Sequence, residues 1–215
     1  MAVLVKICGI TNVGDAVAAA AAGADFLGFV LVPGTPRQVT PALAATIIRD
    51  LRAAAGADAF PVPRLVGVFQ DAAEADIRAA VAGCGFDVIQ LHGDEPAGLV
   101  QSLGAGRVWK MLPLRTPHDV ALAAAHPAAA VLADALRDGQ RGGTGALCDW
   151  TLAAAVAAQR HLVLAGGLTP ENMAAAVAQV HPWAVDVGSG VEASKGKKDH
   201  AKIRALLQAV RAAAG

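Results

Sequence analysis

The chain has no surplus of charge, few cysteines and no long apolar run, and each shortage removes a class of function. Its 18 basic and 18 acidic residues balance, so there is no bulk positive charge to meet nucleic acid or an anionic membrane. Apolar residues make up 55% of the sequence, yet Asp25, His126, Pro127 and Asp134 interrupt the runs. No run reaches the roughly 18 uninterrupted residues that a spanning helix needs. Lys6 sits inside the first short apolar stretch, which argues against a secretory signal. Cys8, Cys84 and Cys148 are odd in number and widely spaced, which speaks against a disulfide framework or a zinc site and for a reduced, cytoplasmic setting. The histidines (92, 118, 126, 161, 181 and 200) lack ligand spacing such as HxxxH, so no metal is expected. Nor does a linker or low-complexity tail divide the chain, and residues 1–215 are expected to form a single domain.

What is present is an alternation. Short, continuous apolar runs recur at 3–8 (VLVKIC), 26–32, 64–69, 87–91, 107–112, 130–134, 162–166 and 184–188. Such runs are the signature of parallel strands covered on their outer face by helices. Alanine-rich stretches lie between them. Thr40-Pro41, Thr116-Pro117 and Thr169-Pro170 each place a capping hydroxyl before a proline, predicting a helix start. A last helix is expected at about 199–213. A doubly wound sheet would use five or six strands; eight strands in 215 residues favour an α/β fold of the compact (βα)8, or TIM barrel, kind.

In such a barrel the chemistry collects at the C-terminal ends of the strands and in the loops that follow. That rule selects Cys8, Arg37 in the loop after the second strand, His92, Asp134, the pair Gly166-Gly167, and the turn Gly188-Ser189-Gly190. Adjacent glycine turns after the seventh and eighth strands suit a phosphate, because backbone N–H groups approach an anion closely only where no side chain intervenes; they also suit tight turns alone. Cys8 reads as a packing residue or a proton-transfer thiol. Asp134 reads as an acid facing that thiol across the barrel mouth, or as a partner for Arg137 or Arg141. Arg37 reads as an anion clamp or a solvated loop residue, and His92 as a supporting side chain. Cys84 and Cys148 read as packing residues. The long loop after the sixth strand carries GGTG at 142–145, as a mobile lid would.

With those positions marked, the sequence resembles the phosphoribosylanthranilate isomerases. The matching stretches are KICGIT at 6–11, GADFLGFV at 23–30, VGVF at 66–69 and QLHGDE at 90–95, then GGTG at 142–145, LAGGLTPENM at 164–173 and VDVGSGVEASKGKKDHAKI at 185–203. The resemblance runs from end to end. It implies a (βα)8 barrel that carries out an Amadori rearrangement of N-(5-phosphoribosyl)anthranilate in tryptophan biosynthesis, without metal or organic cofactor. It further implies Cys8 as general base, Asp134 as general acid and Arg37 as the holder of the anthranilate carboxylate. The glycines of 166–167 and 188–190, with Ser189, would cradle the phosphate, and Gln90, His92 and Asp186 would complete the substrate contacts. A small-molecule phosphosugar partner, no nucleic acid, no membrane, and a monomer or homodimer are expected. Two departures stand out: Ala146 follows GGTG where lysine is frequent in the family, and VLAD precedes the acid where a bulkier apolar residue is frequent. A pentose-phosphate epimerase would share the phosphate loops but would want metal-ligating histidines, and indole-glycerol-phosphate synthase would give the thiol no task. A non-catalytic phosphate-binding barrel would need neither proton-transfer residue. The loops after strands three and four lack paired glycines, which argues against a second phosphate site and hence against a second, histidine-pathway aminoaldose.

Overall fold

A computed structural model describes residues 2–134, 136–137, 140–141 and 149–213. Eight parallel strands close into a barrel: β1 (Leu4–Cys8), β2 (Phe26–Val30), β3 (Arg64–Phe69), β4 (Val88–Leu91), β5 (Val108–Met111), β6 (Ala130–Ala133), β7 (Leu162–Leu164) and β8 (Ala184–Val187). Each strand pairs with its sequence neighbours, and β1 pairs with β8 to complete the ring. The helices α1 (Val13–Ala22), α2 (Pro41–Asp58), α3 (Glu74–Cys84), α4 (Ala97–Ser102), α5 (Pro117–Ala125), α6 (Trp150–Ala157), α7 (Met173–Val180) and α8 (His200–Ala213) follow the strands in turn. Two short antiparallel ribbons decorate the loops, one joining Leu136–Arg137 to Gln140–Arg141 and the other joining Glu192–Ser194 to Lys197–Lys198.

Side chains alternate across a strand, and here the alternation divides the molecule into two apolar layers. Val5 and Ile7 of β1 face outward and join Leu27, Leu65, Ile89 and Val131 against the helices. Phe26, Val66, Val68, Val88, Trp109, Met111, Leu132 and Val163 face inward and fill the barrel with Ala130, Ala165 and Ala184. The N-terminal end is plugged by aromatics. Trp109 meets Phe26 edge-on with ring centroids 4.9 Å apart. Trp183 meets Trp109 at 5.7 Å and is stacked on His161 at 4.7 Å. The same period of two puts Lys6 and Cys8 of β1, Gln90 of β4 and Asp186 of β8 on the inner face, with Asp134 just past the end of β6.

Two of the three threonine–proline pairs start helices as expected. The Thr40 side chain accepts from Leu43 N–H, and Thr116 and Asp119 close a reciprocal capping box. The third differs. Pro170 opens a turn, and α7 starts only at Met173. Asn172 accounts for the delay: its side-chain oxygen accepts from Thr169 N–H at 2.8 Å, and its amide donates to Gly167 O at 2.9 Å. That amide ties the helix start to the glycine turn after β7. The expected lid glycines 142–145, with Ala146 and Cys148, lie outside the described residues. Cys84 is buried, its thiol directed at Pro41 O at 3.3 Å, as a packing residue would be.

Candidate active site

The C-terminal ends of the strands enclose a cleft of about 900 Å³ including its open mouth. Cys8, Arg37, Gln90, His92, Asp134, Gly166, Gly167, Asp186, Gly188, Ser189 and Gly190 all line it, so every candidate named from the sequence comes to one place. Val30, Val32, Val68 and Leu168 supply an apolar wall that sequence reasoning did not single out.

On one side, β1 and β8 run in register with Lys6 opposite Asp186. The Lys6 ammonium, fully buried, meets Asp186 Oδ2 at 2.7 Å. Burial works against this ammonium, but Asp186 and then Cys8 outweigh it, and the Lys6 pKa is raised. Cys8 lies two residues along the same inner face. Burial pushes its thiol pKa up and the Asp186 carboxylate adds to that, while Lys6 and Lys198 pull it down; the net direction is up. The thiol is therefore the resting form at neutral pH, which differs from a thiol already activated by a nearby cation.

On the opposite side, the Gln90 amide nitrogen lies 3.1 Å from His92 Nδ1. With that nitrogen accepting, the ring carries its proton on Nε2, which lies 3.4 Å from Asp134 Oδ2. The partner of Asp134 is thus a histidine from the neighbouring part of the barrel mouth. The side chains of Arg137 and Arg141, the partners the sequence suggested, lie outside the described residues. The loop bearing His92 is fixed from below: Glu95 accepts from Gly93 N–H at 2.9 Å and pairs with the buried Lys110 at 3.1 Å.

Arg37 is no free cation. Its Nε donates to Glu192 Oε1 at 2.6 Å and its Nη2 to Oε2 at 2.8 Å, a two-point fork that raises the guanidinium pKa. Burial pushes Glu192 up, but Arg37 and Lys198 together hold it below the ordinary carboxylate range. Lys198 also donates to Gly188 O at 2.9 Å. Burial of Lys198 lowers its pKa despite Glu192. Glu192 and Lys198 were missed because they sit on a ribbon beyond the strand end; their signal was two opposite charges, six residues apart, within SGVEASKGKKD.

The glycine turns are required by the loops themselves. Gly166 and Gly167 adopt φ of 83° and 64°, a region costly for other residues. A Cβ on Gly190 would collide with the Leu168 carbonyl group, so the turns after β7 and β8 pack backbone to backbone. Gly188 has no such need: a Cβ there would lie 3.8 Å from Cys8 O. Among the described residues no group of three or more His, Cys, Asp or Glu is placed to hold a metal, and no helix is long and apolar enough to cross a membrane.

Comparison with known proteins matches residues 5–209 to the family model described as N-(5'-phosphoribosyl)anthranilate (PRA) isomerase. The chain is 44% identical over 204 residues to the N-(5'-phosphoribosyl)anthranilate isomerase of Pelobacter propionicus, covering 95% of this chain and 93% of that one. It is 46% identical over 213 residues to that of Pseudomonas aeruginosa strain UCBPP-PA14, covering 98% and 96%. Among solved structures, the phosphoribosyl anthranilate isomerase of Thermotoga maritima superposes with a TM-score of 0.84 at 36% identity, covering 98% of this chain and 99% of that one. A phosphoribosyl anthranilate isomerase in complex with reduced 1-(o-carboxyphenylamino)-1-deoxyribulose 5-phosphate superposes with a TM-score of 0.83 at 34% identity over the same shares.

Proposed function

The chain belongs to the N-(5'-phosphoribosyl)anthranilate isomerase family, enzymes of tryptophan biosynthesis. From that premise we propose that it converts N-(5-phosphoribosyl)anthranilate to 1-(2-carboxyphenylamino)-1-deoxyribulose 5-phosphate by general acid and base catalysis. Asp134 gives a proton to the ribose ring oxygen. The C1–O bond breaks as the anthranilate nitrogen lends its electron pair, leaving an open chain with a protonated C1=N bond. That cation acidifies the C2 proton and, lying in the same cleft, favours the thiolate form of Cys8, whose own proton passes to solvent through the open mouth of the cleft. The thiolate takes the C2 proton, the C–H electrons form the C1=C2 double bond of an enolamine, and the positive charge on nitrogen is discharged. Loss of the hydroxyl proton at C2 and protonation at C1 then yield the ketone. Each step is a proton transfer between groups held in position.

The remote ends of the substrate would be held as the lining suggests. Backbone N–H groups of the Gly166-Gly167 and Gly188-Ser189-Gly190 turns take the phosphate. The N–H groups of Arg37 that Glu192 leaves free take the anthranilate carboxylate, and the apolar wall of Val30, Val32 and Val68 takes the ring. The observation that carries this reading is the convergence of Cys8, at the end of β1, and Asp134, just past β6, on one cleft that the paired glycine turns after β7 and β8 also line. The test is turnover by purified protein, followed as loss of the substrate's anthranilate fluorescence. Folded protein that leaves the fluorescence unchanged at saturating substrate sinks the reading.

A further inference from the structure

We infer that Lys6, anchored by Asp186, is the positioning residue that steadies the Cys8 thiolate once it forms, a resting thiol being what the unliganded site holds. The inference rests on the reading that Cys8 is the base, and it adds a residue that neither the strand-end rule nor the resemblance assigned a role.

Three observations carry it. First, Lys6 lies in the middle of a strand with none of its surface exposed, on the same inner face as Cys8 because two residues separate them. A buried ion pair is a poor stabiliser compared with apolar residues of similar volume, so the packing of β1 against β8 does not by itself account for it. Second, the ammonium and the sulfur converge on one bare position. Gly28 is the register partner of Cys8. A Cβ on Gly28 would lie 2.8 Å from Cys8 Sγ, 2.9 Å from Lys6 Cε and 3.0 Å from Lys6 Nζ. Third, Asp186 uses one oxygen on Lys6 and leaves Oδ1 buried with no hydrogen-bond partner. The carboxylate fixes the ammonium at one end and opposes the thiolate electrostatically. The charged groups facing the sulfur are therefore Lys6 on its own strand, Asp186 on β8, Lys198 on the ribbon after β8 and Arg37 in the loop after β2. Lys6 and Asp186 act on it with opposite signs.

That opposition makes the test. The rate of Cys8 alkylation by iodoacetamide is measured against pH, with peptide mass spectrometry following Cys8 alone. An adjacent charge moves an ionisable neighbour by about one pKa unit or more, so at fixed pH below the midpoint the rate should fall about tenfold in Lys6→Met. In Asp186→Asn it should rise by a similar factor, because the opposing charge is gone and Lys6 is free for the thiolate. A merely structural pair would shift both variants the same way, through a loosened barrel. Where Lys6→Met does not fold, Asp186→Asn is compared with the double variant Lys6→Met/Asp186→Asn, which carries no unpaired buried charge and differs only at residue 6. A midpoint in Lys6→Met, or in the double variant against Asp186→Asn, that stays put or falls overturns the inference. The alkylation readout needs no substrate. Midpoints that move as expected in a protein that never turns over the anthranilate substrate would refute the base role of Cys8 and leave the hold of Lys6 on the sulfur standing.

Discussion

Arg37 has two tasks to separate, gripping a substrate carboxylate and strapping the loop after β2 to Glu192, and substituting each partner of the fork distinguishes them. Arg37→Ala removes both tasks. A hydrogen bond to a charged group contributes about 1.5–3 kcal/mol, so kcat/KM should fall by roughly ten- to 150-fold at 1.4 kcal/mol per decade. Glu192→Gln leaves the guanidinium in place, keeps the shape of its partner and weakens the fork. Glu192 is held at 2.6 and 2.8 Å by Arg37 and at 3.2 Å by Lys198, so its neutral form gives two cations back to the cleft. If Arg37 binds the anthranilate carboxylate, KM in Glu192→Gln should stay level or fall, while KM in Arg37→Ala rises. The assay is the fluorescence decay at several substrate concentrations, alongside inhibition by ribulose 5-phosphate, which lacks the aromatic acid. Arg37→Ala should weaken that inhibitor far less than it weakens the substrate. Parallel increases in KM for both variants, with equal loss of the bare phosphosugar, would show that Arg37 is a strap and nothing more.

Further outcomes follow from the same geometry. Cys8→Ser exchanges the thiol for a hydroxyl that is almost never ionised near neutrality, and kcat/KM should drop about 10² or more; Asp134→Asn should be comparably severe. The double variant should cost far less than the product of the two losses, and a simple product, measured in the same assay, would show that the two act independently. Trp109→Ala opens the aromatic plug and should lower stability by about 3–5 kcal/mol in a urea melt, while kcat of the folded fraction stays near normal; a loss below 1 kcal/mol would mean the plug is not tightly packed. Glu192, whose folded pKa lies below its unfolded value, contributes stability that is present above the ordinary carboxylate range near 4.3 and lost as pH falls through the folded pKa. Glu192→Gln should therefore flatten the acid limb of stability against pH, and an unaltered limb below about pH 4.5 would contradict that assignment.

The eight strands were legible because each is a short apolar run with polar punctuation, a pattern that depends only on local burial. The candidate site was legible for a related reason: strand ends in a parallel barrel converge wherever they fall in the chain. What escaped depended on distance in sequence. Nothing local says that Glu192 will fork onto Arg37, 155 residues earlier, or that His92 will face Asp134. At Gly190 the need for glycine was legible, but the Leu168 backbone that crowds it, 22 residues earlier, was not. Thr169-Pro170 misled because a threonine before a proline opens a turn as readily as a helix, and Asn172 decides between them. Lys6 carried a readable signal after all. A charged residue two places before a candidate thiol, in a strand otherwise apolar, must share its face.

The closure of β1 on β8 also has a consequence in time. Lys6 and Asp186 are 180 residues apart, and synthesis at about 5–20 residues per second separates their appearance by roughly 10–40 seconds. Until β8 emerges, the strand that carries both Cys8 and Lys6 has an ammonium without its carboxylate, and burying it in a half-made barrel is unfavourable. The first strand is thereby discouraged from settling before the last one exists. The growing chain has no finished core around β1 until its final strand arrives, so an interrupted product would hold, beside Cys8, a lysine without the carboxylate that anchors it.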